Sequence, residues 1–125
     1  MPVTDDHIAH VMQAYVDALS GDDVEAVIAL YAEDAVVEDP IGDPPHVGYD
    51  ALRAFYQRAI DAVEKMVLDG NPRVRDNWGA CGMKAYPKGM DMKLAMETLD
   101  VMHFNDEGKI TQMTAYWGDR NMVNE

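Results

Sequence analysis

Two aspartates on strand-like segments carry the chemistry this chain has to offer, and strand alternation decides what each of them faces. From Ala35 to Asp39, one face carries Ala35, Val37 and Asp39 and the other carries Val36 and Glu38. Asp39 therefore travels with small apolar side chains to a strand end, where Pro40 stops the extended run. An aspartate before a proline starts turns. An aspartate on an apolar face is also a carboxylate base at a pocket wall, so both readings stand for Asp39. Further on, Met96, Thr98, Asp100, Met102 and Phe104 share one face, with Glu97, Leu99, Val101 and His103 on the other. Set among Met and Phe, Asp100 either pairs with a cation or stays protonated, because desolvation disfavours its charge. A neutral carboxylic acid in an apolar cavity donates a hydrogen bond, and donors of that kind stabilise an oxyanion.

Tyr15 is the third member of the constellation. It falls on the apolar stripe of a first helix, where its hydroxyl needs a partner. Tyr31 and Tyr56 occupy matching buried positions on the next two helices. The three are either core tyrosines satisfied by the backbone or a chain of hydroxyls that polarises one donor. Met83, Met96, Met102 and Met113 with Trp117 suit a flat, rigid, apolar ligand, although methionines also simply fill cores. Other candidates are weaker. His7 and His10 have metal-ligand spacing but lie on an acidic first turn that reads as solvated. His46 follows a proline-rich loop, His103 points away from the Asp100 face, and Cys81 reads as a small core residue. A glycine-rich phosphate loop, a nucleophile elbow and a metal cluster are all missing from the sequence, so no cofactor is expected.

The elements that must position these residues can be read from periodicity. Thr4 caps a helix whose stripe is Ile8, Val11, Met12, Tyr15 and Leu19, ended by Gly21. Asp22 and Glu25 form a capping box for a second short helix through Val24, Val27, Ile28 and Tyr31. After a strand over Ala35–Asp39 and the loop Pro40–Pro45, a third helix runs from about Asp50 to Ala62, burying Leu52, Phe55, Tyr56 and Ile60. The period then becomes alternating. Strands are expected at 66–68, 73–75, 78–86, 90–104 and 110–117, separated by Asp69-Gly70-Asn71-Pro72, Pro87-Lys88-Gly89 and Asn105-Asp106-Glu107-Gly108. Helices first and an antiparallel meander after them mean an α+β domain with the helices on one sheet face.

Composition agrees with one such domain over 1–125. The chain has 125 residues, is 48% hydrophobic and carries a net charge of -13. That much apolar content rules out a disordered acidic tail, and the acidic excess repels phosphate backbones, so no nucleic-acid partner is expected. No stretch approaches the roughly 20 apolar residues of a membrane span, and no leader is visible. One cysteine excludes an internal disulfide, and a cytoplasmic setting is expected. Thirteen of the acids but only Arg53 and Arg58 among the bases lie between Met1 and Ala62, as expected of outer helices covering a sheet.

Four segments together resemble bacterial ketosteroid isomerase (steroid delta-isomerase), of the NTF2-like superfamily. They are Tyr31 to Gly42 with its Val37-Glu38-Asp39-Pro40 stretch, Ala54-Phe55-Tyr56, Asp100-Val101-Met102-His103-Phe104, and Ala115-Tyr116-Trp117. The resemblance implies a conical NTF2-like fold, three N-terminal helices on a curved, mixed, mostly antiparallel sheet, and a homodimer. It also implies allylic isomerisation of a 3-oxo-delta-5-steroid to its conjugated delta-4 isomer through a dienolate. On that basis Asp39 is the general base, Tyr15 and protonated Asp100 form the oxyanion hole, and Tyr56 and Tyr31 hydrogen-bond behind Tyr15. Trp117, Met83, Met102 and Phe55 are the expected substrate wall for a small apolar ketone, and the activity needs no cofactor. The hairpin Tyr86-Pro87-Lys88-Gly89-Met90 is a few residues shorter than is usual in that family. The alternatives are a polyketide-cyclase-like enzyme on the same scaffold and a non-catalytic binding dimer of NTF2 type.

Overall fold

The computed structural model describes residues 3–125. Thr4 caps the first helix as expected, its hydroxyl accepting from the His7 N–H at 3.1 Å, and α1 runs over Asp5–Ser20. The stripe Ile8, Met12, Tyr15, Leu19 is buried, which lays α1 across the sheet. α2 (Val24–Ile28) is capped by Asp23, not Asp22: the Asp23 carboxylate accepts from the Ala26 N–H at 3.1 Å, while Asp22 adopts a positive φ of 62°.

Tyr31 is not helical. α2 stops after Ile28, and Tyr31 opens strand β1 (Tyr31–Glu38), paired in parallel with Ile110. The helical spacing from Ile28 to Tyr31 was misleading because both residues are buried in the same core from different elements. β2 (His46–Val47) is a short edge strand against β1, and Gly48, at φ 84°, turns the chain into α3 (Tyr49–Ala62).

The meander follows as β3 (Val63–Arg75), β4 (Trp78–Pro87), β5 (Leu94–Phe104) and β6 (Ile110–Tyr116), with a short helical turn at Asp119–Asn121 and β7 (Met122–Asn124). Asp69-Gly70-Asn71-Pro72 is not a break between two strands. It is an irregularity inside β3, where the register against β4 shifts between Asp69 and Arg73. β3 is the last strand in the sheet order β2-β1-β6-β5-β4-β3, and an edge strand tolerates a bulge and a proline without N–H. β5 begins at Leu94 instead of Met90, because Asp91 and Met92 both take positive φ in the connecting turn. β6 pairs with the second half of β5 and β7 with Leu94–Met96, so β7 continues the row that β6 leaves. The β1–β6 pair is parallel and every other pair antiparallel. The expected α+β architecture, three helices on one face of a curved, open, mostly antiparallel sheet, is the one observed. No helix among the described residues is long and apolar enough to cross a membrane.

Candidate active site

β1 and β6 are parallel neighbours that end side by side, Glu38 opposite Thr114. The residues just past their ends therefore meet, and Trp117 Nε1–H donates to Asp39 Oδ1 at 2.6 Å. Asp39 is half-buried, and its carboxyl is pushed above its ordinary value chiefly by burial, against which the Trp117 N–H and nearby His46 favour the charged form. Opposite, Asp100 stands on β5 between two small cross-strand neighbours, Cys81 on β4 and Ala115 on β6. It is 1% exposed and forms no ion pair among the described residues. Its hydrogen-bond partner is Thr98, whose Oγ1–H donates to Oδ1 at 2.8 Å. Burial first, and the charge of Asp39 second, raise the Asp100 pKa to about 7, with the Thr98 bond opposing. Of the two outcomes open to a buried aspartate, the cation pair is the one not seen.

Tyr15 reaches the same space from α1. Its hydroxyl lies 3.1 Å from that of Tyr56, which in turn forms a short hydrogen bond with Tyr31. A hydroxyl has one proton to donate. If Tyr31 donates to Tyr56 and Tyr56 to Tyr15, the Tyr15 proton is left for a ligand. Burial holds all three phenols well above their ordinary range, so each keeps its proton.

Tyr15, Asp39, Asp100, Tyr56, Phe55 and Trp117 surround one cavity with an empty volume of about 420 Å³. Its remaining walls are mainly Leu19, Val63, Met66 and Met96, with Thr98 beside Asp100, and no cation lines it. The cavity continues outward into a mouth that adds Arg58 and Ala62. Lys88 N–H bonds the Ala62 carbonyl at 2.9 Å, which sets the short β4–β5 hairpin beside that mouth.

Two expected wall residues lie elsewhere. Met83 and Met102 are fully buried in the core and do not line the cavity. Parity puts Met102 on the Asp100 face, but its cross-strand partner is Gly79, which lies close beneath Ile8 and Met12 of α1, so that end is filled by helix. Met113, offered beside them, is likewise fully buried in the core, whereas Met96 of the same set does line the cavity, joined by Met66. Tyr31 stands behind Tyr56, as expected, although from a strand.

His46, a weak candidate in the sequence, lies beside the site. Its ring stacks on Phe55 with centroids 4.6 Å apart, and from there it favours the charged form of Asp39. Nothing in the proline-rich loop before it signalled that placement. Thr98 could have been found, since it lies two residues before Asp100 on the same face. His103 faces outward against Trp78, and the described residues hold no group of His, Cys, Asp and Glu fit to bind a metal ion.

Comparison with known proteins agrees with this architecture. Residues 12–113 match the SnoaL-like domain family. The chain is 34% identical over 109 residues to Steroid Delta-isomerase from Nocardioides simplex, covering 87% of this chain and 88% of that protein. A solved structure, described as the epoxide hydrolase/cyclase-like enzyme SalBIII in pyran ring formation in the polyether salinomycin, superposes with a TM-score of 0.86. At 21% identity it covers 97% of this chain and 98% of its own.

Proposed function

This chain belongs to the SnoaL-like domain family and has the NTF2-like fold, and from that premise we propose that it is a steroid delta-isomerase-type enzyme. The substrate class is a β,γ-unsaturated ketone on a rigid apolar frame, and the reaction moves its double bond into conjugation. The observation that carries this reading is one apolar cavity holding an ionisable carboxylate held by an indole N–H together with a buried acid that lacks any cation. The name of the 34%-identical relative points the same way.

Asp39 takes a proton from the carbon between the carbonyl and the double bond. The electron pair moves onto the ketone oxygen, and the dienolate so formed rests against the Tyr15 and Asp100 O–H groups. The same proton then passes from Asp39 to the far end of the former double bond, which restores the carboxylate. With Oδ1 tied to Trp117, Oδ2 is the oxygen free to shuttle the proton. Because the proton leaves and returns, the reaction consumes no oxidant or reductant.

A cyclase-like reading stands beside this one, because the solved structural relative is described as an epoxide hydrolase/cyclase-like enzyme and an aldol closure also uses one carboxylate base. Epoxide opening by an aspartate–arginine–aspartate trio does not fit. Arg53 is tied to Glu25 at 2.8 Å on the surface, and Arg58 reaches only the mouth. An ultraviolet assay of the conjugated product from a β,γ-unsaturated steroid ketone separates the readings.

Run across pH, the same assay carries a second test. Asp39 must be ionised and Asp100 protonated, so kcat/KM should rise through a pKa above the ordinary aspartate value and fall again above about 7. Carboxyl carbon-13 titration that finds Asp100 already ionised at pH 6 removes it as a proton-bearing donor.

A second copy of this chain is the macromolecular partner we assign. Leu99 and Tyr116 are cross-strand neighbours, and with Trp78 they stand 43–45% exposed on the sheet face turned away from the cavity. Sedimentation should return twice the monomer mass, and Leu99→Asp should return the monomer. A wild-type protein that sediments as a monomer at micromolar concentration overturns the assignment.

A further inference from the structure

A protonated carboxyl has two oxygens and one proton, and an oxyanion hole works only if that proton is on the oxygen facing the ligand. Asp100 could carry it on either oxygen, and nothing in its own strand position decides which. Thr98 does. It lies two residues earlier on the same face of β5, its side chain shares the cavity wall with Asp100, and its hydroxyl donates to Oδ1. In a neutral acid the carbonyl oxygen is the better acceptor, so a hydroxyl that donates to Oδ1 favours the proton on Oδ2.

We propose that Thr98 is a positioning residue, fixing the Asp100 proton on Oδ2 so that it is aimed at the ligand oxygen beside Tyr15. The proposal rests on the oxyanion-hole reading of Asp100 above. No other side chain among the described residues takes this part. Of the titratable groups around it, Asp39 from the end of β1 acts on Asp100, while the charge of Asp100 acts on Tyr15 from α1, Tyr31 from β1 and Cys81 from β4. Of the hydrogen bonds among the described residues, the one to the Asp100 carboxyl comes from Thr98.

The opposite arrangement, in which Asp100 donates into Thr98 and Thr98 donates to the ligand, has the same heavy-atom distance but a different titration. A hydrogen bond to the unprotonated oxygen favours ionisation, so its loss raises the Asp100 pKa. A bond donated by the acid favours the neutral form, so its loss lowers the pKa.

The test is Thr98→Val and Thr98→Ser in the full chain. Valine keeps the shape and suits a strand. Thr98→Val should lower kcat about tenfold at pH 6 with KM within twofold of the parent, and should move the alkaline limb of kcat/KM to higher pH. Thr98→Ser should restore kcat to within threefold. A Thr98→Val protein with parental kcat and an unmoved limb overturns the proposal, as does a limb that moves to lower pH or a loss that serine does not restore. If the parent does not isomerise a β,γ-unsaturated steroid ketone, the functional reading fails by itself. Carboxyl carbon-13 titration of Asp100 then decides this one: an upward shift in Thr98→Val supports it, and an unchanged or lowered pKa overturns it.

Discussion

Asp39→Asn should lower kcat by about 10²–10⁴-fold, the usual share of a general base, while a planar phenolic steroid binds at least as tightly as to the parent. The two halves of this result have one origin. The amide cannot accept the proton that starts the reaction, yet it keeps the volume of the carboxylate and can still accept from Trp117 Nε1–H through its oxygen. The charge it removes raises the pKa of Asp100 and of Tyr15 in the parent. Without that charge both donors become more acidic and the cavity accepts a phenolate-like oxygen more readily, so affinity is held or gained. Stopped-flow turnover and fluorescence titration with the phenol measure the two effects separately. Comparable turnover in variant and parent removes Asp39 from the mechanism. A parallel collapse of phenol binding would instead mean that the variant had lost the cavity.

Much of this site was legible in one dimension because its residues sit on regular elements. Strand alternation placed Asp39 with Ala35 and Val37, and Asp100 with Met96 and Thr98, and helical spacing put Tyr15 on the covered face of α1. Those inferences concern only which face a residue presents. Depth along a face depends on where a helix crosses, which explains why Met102 was expected at the ligand and lies instead under Ile8 and Met12, while Met66 and Met96 form the wall. Short elements also escaped. Tyr31 fits a helical stripe from Val24 onward, yet a helix of five residues ends before reaching it, and its pairing partner Ile110 lies far along the chain. The His46–Phe55 stack joins a two-residue strand to the helix that follows it, and a strand that short leaves no periodic pattern.

The division of labour between the two aspartates follows from their unequal exposure. Both are disfavoured as anions by burial, but Asp39 has an N–H donor to stabilise its charge and Asp100 lies deeper, facing the charge of Asp39. A pair arranged in this way ionises at the shallower member first. The deeper acid keeps its proton in the pH range where the shallower one is ionised, which is the division the proposed mechanism requires.

Asp100 should therefore be a burden on the fold that its chemistry justifies. Its carboxyl has an ordinary value of 3.8 and a folded value of about 7. Below pH 4 both folded and unfolded chains hold the proton and Asp100 costs nothing on this account. As pH rises toward 7 the unfolded chain releases the proton and the folded chain does not, and stability falls with each unit. Above 7 the loss is complete, at about 4 kcal/mol on the scale of 1.36 kcal/mol per unit. Asp100→Asn cannot ionise and keeps both an acceptor for Thr98 and a donor for the cavity. It should be more stable than the parent at pH 8 by up to about that amount, and the gain should vanish toward pH 4. Asp100→Leu should gain less at pH 8, because Thr98 loses its acceptor, and should lose one oxyanion donor, worth about 10²–10³ in kcat. Urea denaturation at pH 4 and 8 measures the first effect and steady-state kinetics the second. A parent whose stability relative to Asp100→Asn is the same at both pH values would mean an ordinary acidic Asp100, ionised at neutrality and unable to donate.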